Sequence, residues 1–273
     1  MADPVVTTFN FELARREATD LVDVTGGVAV LNRSYPISRA HNRLLVTATT
    51  AVDVSVAEAE RVLGGAELSH RRIDWVDGDA PAGADRLMSA GWTCERSVQM
   101  CLTRSEEQTV DSNALTVPFE RLRDTVLQVW LGELPDLTMA EAAQLADRQL
   151  ATAAACESSW HAVSVDGAPV SWCSLRILDL DGTRVAQIEV VITVPAQRGH
   201  GHAKTVVRHA VATARAQGCD VVWPEADADD WPQHLYRRMG FDDVGRASSA
   251  TLVLDRKITA ERAPATSRRS IGS

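Results

Sequence analysis

The residues best suited to chemistry lie late in the chain. The stretch "RGHGHAK", residues 198–204, sets an arginine and two glycines ahead of a lysine. It follows the apolar run "VVITVPA" and leads into a helix-like run. Glycine is costly in regular structure and cheap where the main chain must turn sharply or come close to a ligand. At a strand-to-helix junction the first-turn amides lack an internal partner and carry partial positive charge, which makes an anion site. The Gly-Lys-Ser/Thr ending of a Walker loop is absent, and so is the third glycine of a dinucleotide fingerprint. By itself the stretch reads equally well as a tight turn or a phosphate cradle. Just upstream, Glu189 is the one charge in an apolar strand. Strict alternation would put Ala186, Ile188, Val190, Ile192 and Val194 on one face, with Gln187, Glu189, Val191 and Thr193 on the other. A charge there is expensive unless it is partnered or useful.

The elements that must position these residues are legible around them. "FERLRDTVLQVWLGEL" has helical spacing through Leu122, Val126, Val129 and Trp130. "TMAEAAQLADRQLATAA" opens with Thr138 and Glu141 at capping-box spacing. Three β-rich runs follow, "SWHAVSV", "VSWCSLRIL" and "RVAQIEVVITV", separated by the turns "DGAP" and "DLDG". After the glycine stretch, Ala203, Val206, Val207, Ala210, Val211 and Ala214 mark one buried helix face that ends at Gly218. "CDVVWP" is a strand, "WPQHLYRRMGF" a short helix stopped by Gly240, and "SSATLVL" a last strand. The order implies a mixed α/β fold with the glycine stretch at a strand-to-helix junction.

The bulk properties exclude several classes. The chain has 273 residues, 45% of them hydrophobic, and a formal net charge of −9. That length suits one large domain or two ordinary ones. The acidic balance argues against a nucleic-acid partner. Five scattered cysteines, with no Cys-x-x-Cys pair, give no metal framework and fit a reducing compartment. No signal-like start and no membrane-length apolar run is found, so a cytoplasmic protein without a membrane partner is expected.

Two linked motifs sharpen the reading. Arg198-Gly199-His200-Gly201-His202-Ala203 resembles the Arg/Gln-x-x-Gly-x-Gly/Ala motif of the GNAT superfamily of acyl-CoA-dependent N-acyltransferases, and "LYRRMGF" resembles its second signature. The spacing between them, one helix and one strand, is also similar, and the resemblance covers roughly residues 115–255. It implies that the amides of Arg198, Gly199, His200, Gly201, His202 and Ala203 hold the CoA pyrophosphate. It implies backbone hydrogen bonds to the pantetheine arm near Ile192 and Thr193. Glu189 is then a candidate general base, since the acceptor amine must be neutral to attack; an ion pair with Arg176 across the sheet is the other role open to it. Tyr236 falls on the family tyrosine that protonates the leaving thiolate, as a phenol of pKa ~10 can do beside a thiol of ~8.5. Packing is its other reading. Asp229 stands where many members carry asparagine. Weaker candidates are Glu225, Asp227 and Asp230 at the acceptor mouth, His161 and His234 as bases, and Trp130, Trp160 and Trp172 as pocket walls. The expected cosubstrate is acetyl-CoA, with no metal. The expected function is N-acetylation of a primary amine of a small molecule; the alternative is a non-catalytic acyl-CoA sensor on the same scaffold. Whether the chain forms a homodimer is open.

Residues 1–104 carry a faint echo of the second half. "ADRLMSAGWTCERSVQMCL" parallels the short helix, glycine, aromatic and closing strand of residues 232–254, with Leu87 at the tyrosine position. "VSVAEAERVLGGAEL" reads as the central helix and "SHRRIDWVD" as the strand after it, and no glycine cradle precedes them. The expectation is two GNAT-like domains in tandem: 1–104 without a phosphate loop, a linker at 105–114, a CoA-binding domain at 115–258 and a disordered tail at 259–273.

Overall fold

The computed structural model describes residues 3–104 and 113–254. The expected tail lies outside these residues, as does most of the expected linker. Helix α1 (Pro4–Glu17) starts at an Asp3 cap whose carboxylate accepts from the Val5 amide, with Pro4 at the first position. A hairpin of β1 (Asp20–Val24) and β2 (Gly27–Leu31) follows, then β3 (Arg43–Val46). Helix α2 (Val52–Ala59) runs on through a π turn at Glu60–Gly64 to β4 (His70–Trp75), α3 (Asp85–Ser89) and β5 (Thr93–Leu102). The echo in the first half thus has the elements its pattern implied.

The second half opens with β6 (Ala114–Val117) and α4 (Glu120–Glu133). The expected capping box is present, and the helix behind it divides into α5 (Met139–Asp147) and α6 (Gln149–Ala155). Strands β7 (Glu157–Val165), β8 (Ala168–Leu180) and β9 (Thr183–Thr193) form an antiparallel run. Then come α7 (His202–Ala216), β10 (Val221–Asp227), α8 (Pro232–Arg238) and β11 (Phe241–Val253). Strand β10 continues three residues beyond the Pro224 end expected from the apolar run.

All eleven strands join one sheet, in the order β1-β2-β3-β4-β11-β5-β10-β9-β8-β7-β6. Each half has antiparallel strands leading to a parallel pair joined through a helix: β3-α2-β4 in the first and β9-α7-β10 in the second. The closing strands are exchanged. Strand β11 leaves its own half and pairs with β4, Ser248 opposite Trp75. Strand β5 pairs with β10, Gln99 opposite Glu225, and also with β11 along ten residue pairs. Neither half completes its sheet without the other.

The core explains the sequence periodicities. Helix α7 buries Val206, Val207, Ala210, Val211 and Ala214 against one face of β7–β9. Helices α4 and α5 cover the other face with Leu122, Val126 and Ala142, around Trp160 and Trp172. Those two tryptophans are therefore core residues and not walls of a pocket. Helix α1 ties the halves together: Phe9 meets Trp223 of β10 edge-on at 5.6 Å, with Val6 and Leu13 beside it. Burying Phe9 fully contributes roughly 1.5–3 kcal/mol of transfer free energy.

Candidate active site

The site is made by a strand that breaks its own alternation. Between β8 and β9 the register shifts, with Trp172 opposite Ile192 but Ser174 opposite Glu189. The extra residue on β9 makes a bulge, and Val190 takes a positive φ of 56°. For a β-branched residue that conformation costs on the order of 1–3 kcal/mol, the kind of strain that persists at functional sites. The bulge reverses the side chains beyond it. Val190 and Ile192 pack toward α4 and α5, while Val191 turns to the α7 side. The strict alternation expected for residues 185–194 therefore holds only as far as Glu189.

The same point ends the pairing with β10. The parallel register runs from Val221 and Val185 to Pro224 and Ile188, and stops there. Pro224 has no N–H to continue a ladder. Beyond it β9 and β10 part, and a cleft of about 270 Å³ opens between β9, the start of α7 and α8. Val191 and Thr193 line it from the strand, the glycine loop and Lys204 from one end, and Trp231, Leu235 and Tyr236 from α8. The side chain of Ile192, near which backbone hydrogen bonds to the pantetheine arm were expected, faces the other side, and its carbonyl accepts from the Ser171 hydroxyl at 2.9 Å.

The glycine loop leaves open space above the start of α7. Gly199 and Gly201 have φ of 80° and 81°, which L-residues rarely adopt, and a Cβ at either would meet only open space. Gly201 is the N-cap of α7, and no side chain caps the first-turn amides of this 15-residue helix. Arg198 donates from Nε to the Thr193 carbonyl at 3.3 Å, which braces the loop against the strand. Arg198, Gly199, Gly201, His202 and Ala203 all line the cleft. His200 does not; it is exposed and stacks on His202 with ring centroids 5.8 Å apart. The uncapped amides and the space above the glycines fit a pyrophosphate.

Tyr236 both packs and lines. It is 4% exposed, sits edge-on to Phe241 at 5.7 Å, and reaches the cleft. Burial, with help from nearby Cys173 and Glu189, pushes its phenol well above the ordinary value, so it keeps its proton.

On the opposite side of the bulge lies a second, polar cavity, also of about 270 Å³. Glu189 and Val190 line it, and the next residue, Val191, lines the first cleft, so the bulged strand contributes to both spaces. Of the two roles open to Glu189, the structure displays the ion pair: Arg176 donates to Oε2 at 2.8 Å. Glu225 of β10 lines the same cavity. Glu225 is exposed on the open side of this cavity; the protein packed around it raises its pKa against the Ser97 hydrogen bond, and the charges of Glu189 and Asp74 push the same way. The first half supplies the far walls: Glu17 from α1, Arg43 from β3, and Arg72 and Asp74 from β4. Asp74 accepts from Arg43 at 2.6 Å and from Arg72 at 2.8 Å. Burial works against the charge of Glu17, but His41, Arg176 and Thr152 outweigh it and hold its pKa at about 2.

The weaker candidates stand elsewhere. His161 is fully buried, paired with His209 Nδ1 to Nδ1 at 2.9 Å. Burial and that neighbour push its pKa down to about 3, so it is a neutral structural histidine. His234 is exposed and lines neither cavity. Asp229 forms an exposed ion pair with Arg96 at 2.8 Å. Trp130 stacks under the Arg148 guanidinium at 5.0 Å. Among the described residues no group of acids, histidines or cysteines could hold a metal, and no helix is long and apolar enough to cross a membrane. The arginines of the first half were not foreseen; the sequence offered Glu225 as a candidate for the acceptor mouth, and it lines this cavity. The one available signal was an acid two residues from an apolar run in "VVWPEAD".

Comparison with known proteins agrees with this geometry. Residues 119–241 match the family model described as the acetyltransferase (GNAT) family. A search of proteins of curated function gives no match. Among solved structures, a functionally unknown conserved protein from Staphylococcus epidermidis superposes with a TM-score of 0.65 at 13% identity, covering 87% of this chain and 95% of that one. A GCN5-related N-acetyltransferase from Kribbella flavida gives 0.56 at 16% identity, over 90% and 95% of the two chains. A tandem GNAT protein from the clavulanic acid biosynthesis pathway gives 0.54 at 15% identity, over 83% and 78%. At these identities the structures speak for the fold alone. The chain carries a GNAT acetyltransferase domain at residues 119–241, and with it the acyl-transfer activity of that family.

Proposed function

We propose that the protein transfers an acetyl group from acetyl-CoA to a primary amine of a small molecule. The observation that carries this is the placing of two cavities on either side of the Val190 bulge: one with an uncapped helix N-terminus suited to a pyrophosphate, the other lined by carboxylates. The loop amides from Arg198 to Ala203 hold the CoA pyrophosphate, and the free edge of β9 at Val191 and Thr193 aligns the pantetheine arm. The thioester carbon then lies at the bulge. The amine nitrogen attacks that carbon, the carbon–sulfur bond breaks, and the Tyr236 hydroxyl gives its proton to the departing sulfur. A carboxylate takes one proton from the ammonium before attack, and the proton the nitrogen sheds as the amide forms restores the Tyr236 hydroxyl. A base works best when its pKa lies near the working pH. The raised carboxyl of Glu225 meets that need better than Glu189, which Arg176 already engages. Glu189 holds the incoming ammonium.

The first half is read as a second GNAT-like domain that lends walls to the acceptor cavity instead of binding CoA. Five free cysteines support a cytoplasmic setting. The test is thiol release from acetyl-CoA across a panel of primary amines, with products analysed for N-acetylation. Amine-dependent release with an N-acetylated product supports the proposal. CoA binding without release above the hydrolysis rate for any amine overturns it in favour of a sensor.

A further inference from the structure

The acceptor cavity contains a cation that nothing among the described residues neutralises at close range. Arg148, between α5 and α6, lines the cavity. It donates only to the Ser38 hydroxyl, at 3.3 Å, and lies over the Trp130 ring. The other three arginines of the cavity have carboxylates: Arg43 and Arg72 share Asp74, and Arg176 holds Glu189. Arg148 is half-buried, and a guanidinium drawn partly out of water without an ion partner is held at a cost. Burial pushes the Arg148 pKa down to about 10, so the cation persists at neutral pH. After burial, Glu189 is the largest influence on it, so Arg148 stands within electrostatic reach of the bulge where acyl transfer is placed. The acids Glu189 and Glu225 mark the end next to the CoA cleft, and Arg148 marks another wall of the same small space.

We infer that the acceptor is a small amine carrying a carboxylate, of amino-acid size, whose ammonium lies at Glu189 and Glu225 and whose carboxylate is taken by Arg148. The inference rests on the proposed acylation at this site. The volume fits: about 270 Å³ accommodates roughly nine groups the size of a water molecule, at about 30 Å³ each. A long polyamine would set a second cation against Arg148. A neutral amine would leave the guanidinium unpaired and lose the hydrogen bonds of a carboxylate, which Arg binds with both arms.

The experiment uses the full chain with acetyl-CoA and matched acceptors: a set of amino acids and small amino carboxylates, each beside its carboxamide. The expected result is a kcat/KM for the acid about 10- to 150-fold above that of its amide, as expected for charge-assisted hydrogen bonds. Arg148→Gln should collapse that ratio toward one, chiefly through the KM of the acid, and Arg148→Lys should restore part of it. Amides or polyamines acetylated as well as or better than the acids would overturn the inference while leaving acylation standing. An undiminished acid preference in folded Arg148→Gln would also overturn it. Absence of acetylation for every amine would instead remove the functional proposal on which the inference rests. Should Arg148→Gln fail to fold, the acid-to-amide ratio of the unmodified protein still decides the matter.

Discussion

Replacing Gly201 with alanine tests whether the glycine loop exists for a ligand or only for the turn. The structure supplies an internal control. Gly201 has φ of 81° and Gly167, in the β7–β8 turn, has φ of 80°, and a Cβ at either meets no atom within 4 Å. Each alanine therefore bears the same backbone penalty and no clash. Holding an L-residue in the left-handed region costs about 1–2 kcal/mol. For a chain of this size that lowers the melting temperature by roughly 2–4 °C per kcal/mol. The two variants should lose similar stability. Their ligand behaviour should diverge. The methyl at Gly201 enters the space above the uncapped amides of α7, where the pyrophosphate is placed. Losing one charge-assisted hydrogen bond there is worth about 1.5–3 kcal/mol, or roughly a 10- to 150-fold rise in the CoA dissociation constant. Gly167→Ala should bind CoA as the parent does. Calorimetric titration on the folded variants, with scanning calorimetry alongside, measures both quantities. Equal CoA affinity in Gly201→Ala and Gly167→Ala would refute the cradle and return the loop to a tight turn.

Tyr236→Phe should lower turnover by about 100- to 10,000-fold with little change in CoA affinity, and wild-type turnover under conditions where chemistry limits the rate would remove Tyr236 from the mechanism. Glu225 must be deprotonated to act, and its pKa is raised. The acid limb of kcat/KM should therefore lie above the ordinary glutamate range and vanish from the much slower Glu225→Gln. Glu189→Gln should mainly raise the acceptor KM, and a limb that disappears in Glu189→Gln instead would exchange the two roles. Glu17 has a depressed pKa of about 2 against an ordinary 4.5, so its stabilisation is complete above pH ~4.5 and fades as pH falls toward 2. Chemical unfolding of Glu17→Gln should show a deficit on the order of 3 kcal/mol at pH 6 that shrinks toward pH 2, and a pH-independent deficit would contradict it.

Much of the second half could be read locally. The α7 face, the Thr138–Glu141 cap and the glycine loop are each set by residues within a few positions of one another, so their patterns survive in one dimension. The exchange of β5 and β11 could not be read, because strand partners so distant in the chain leave no local trace. The Val190 bulge was hidden for a different reason. The sequence offers no glycine there, and a β-branched residue at positive φ is held by tertiary packing against its own preference. That single residue moved Val191 into the cleft and Ile192 out of it. The acceptor cavity was the least legible part. It gathers Glu17, Arg43, Arg72 and Glu225 from four separate elements and Arg148 from a helix junction, and each alone resembles an ordinary surface charge. The sequence singled out Glu189 because a charge in an apolar strand is conspicuous, but not which of its two roles the fold would favour.

The most direct test of the account is a crystal structure with acetyl-CoA bound. The account requires the pyrophosphate on the amides of residues 198–203, the pantetheine arm along Val191 and Thr193, and the thioester beside Val190, open to the cavity of Glu189 and Glu225. CoA bound in the first half, or a thioester sealed from that cavity, would contradict it.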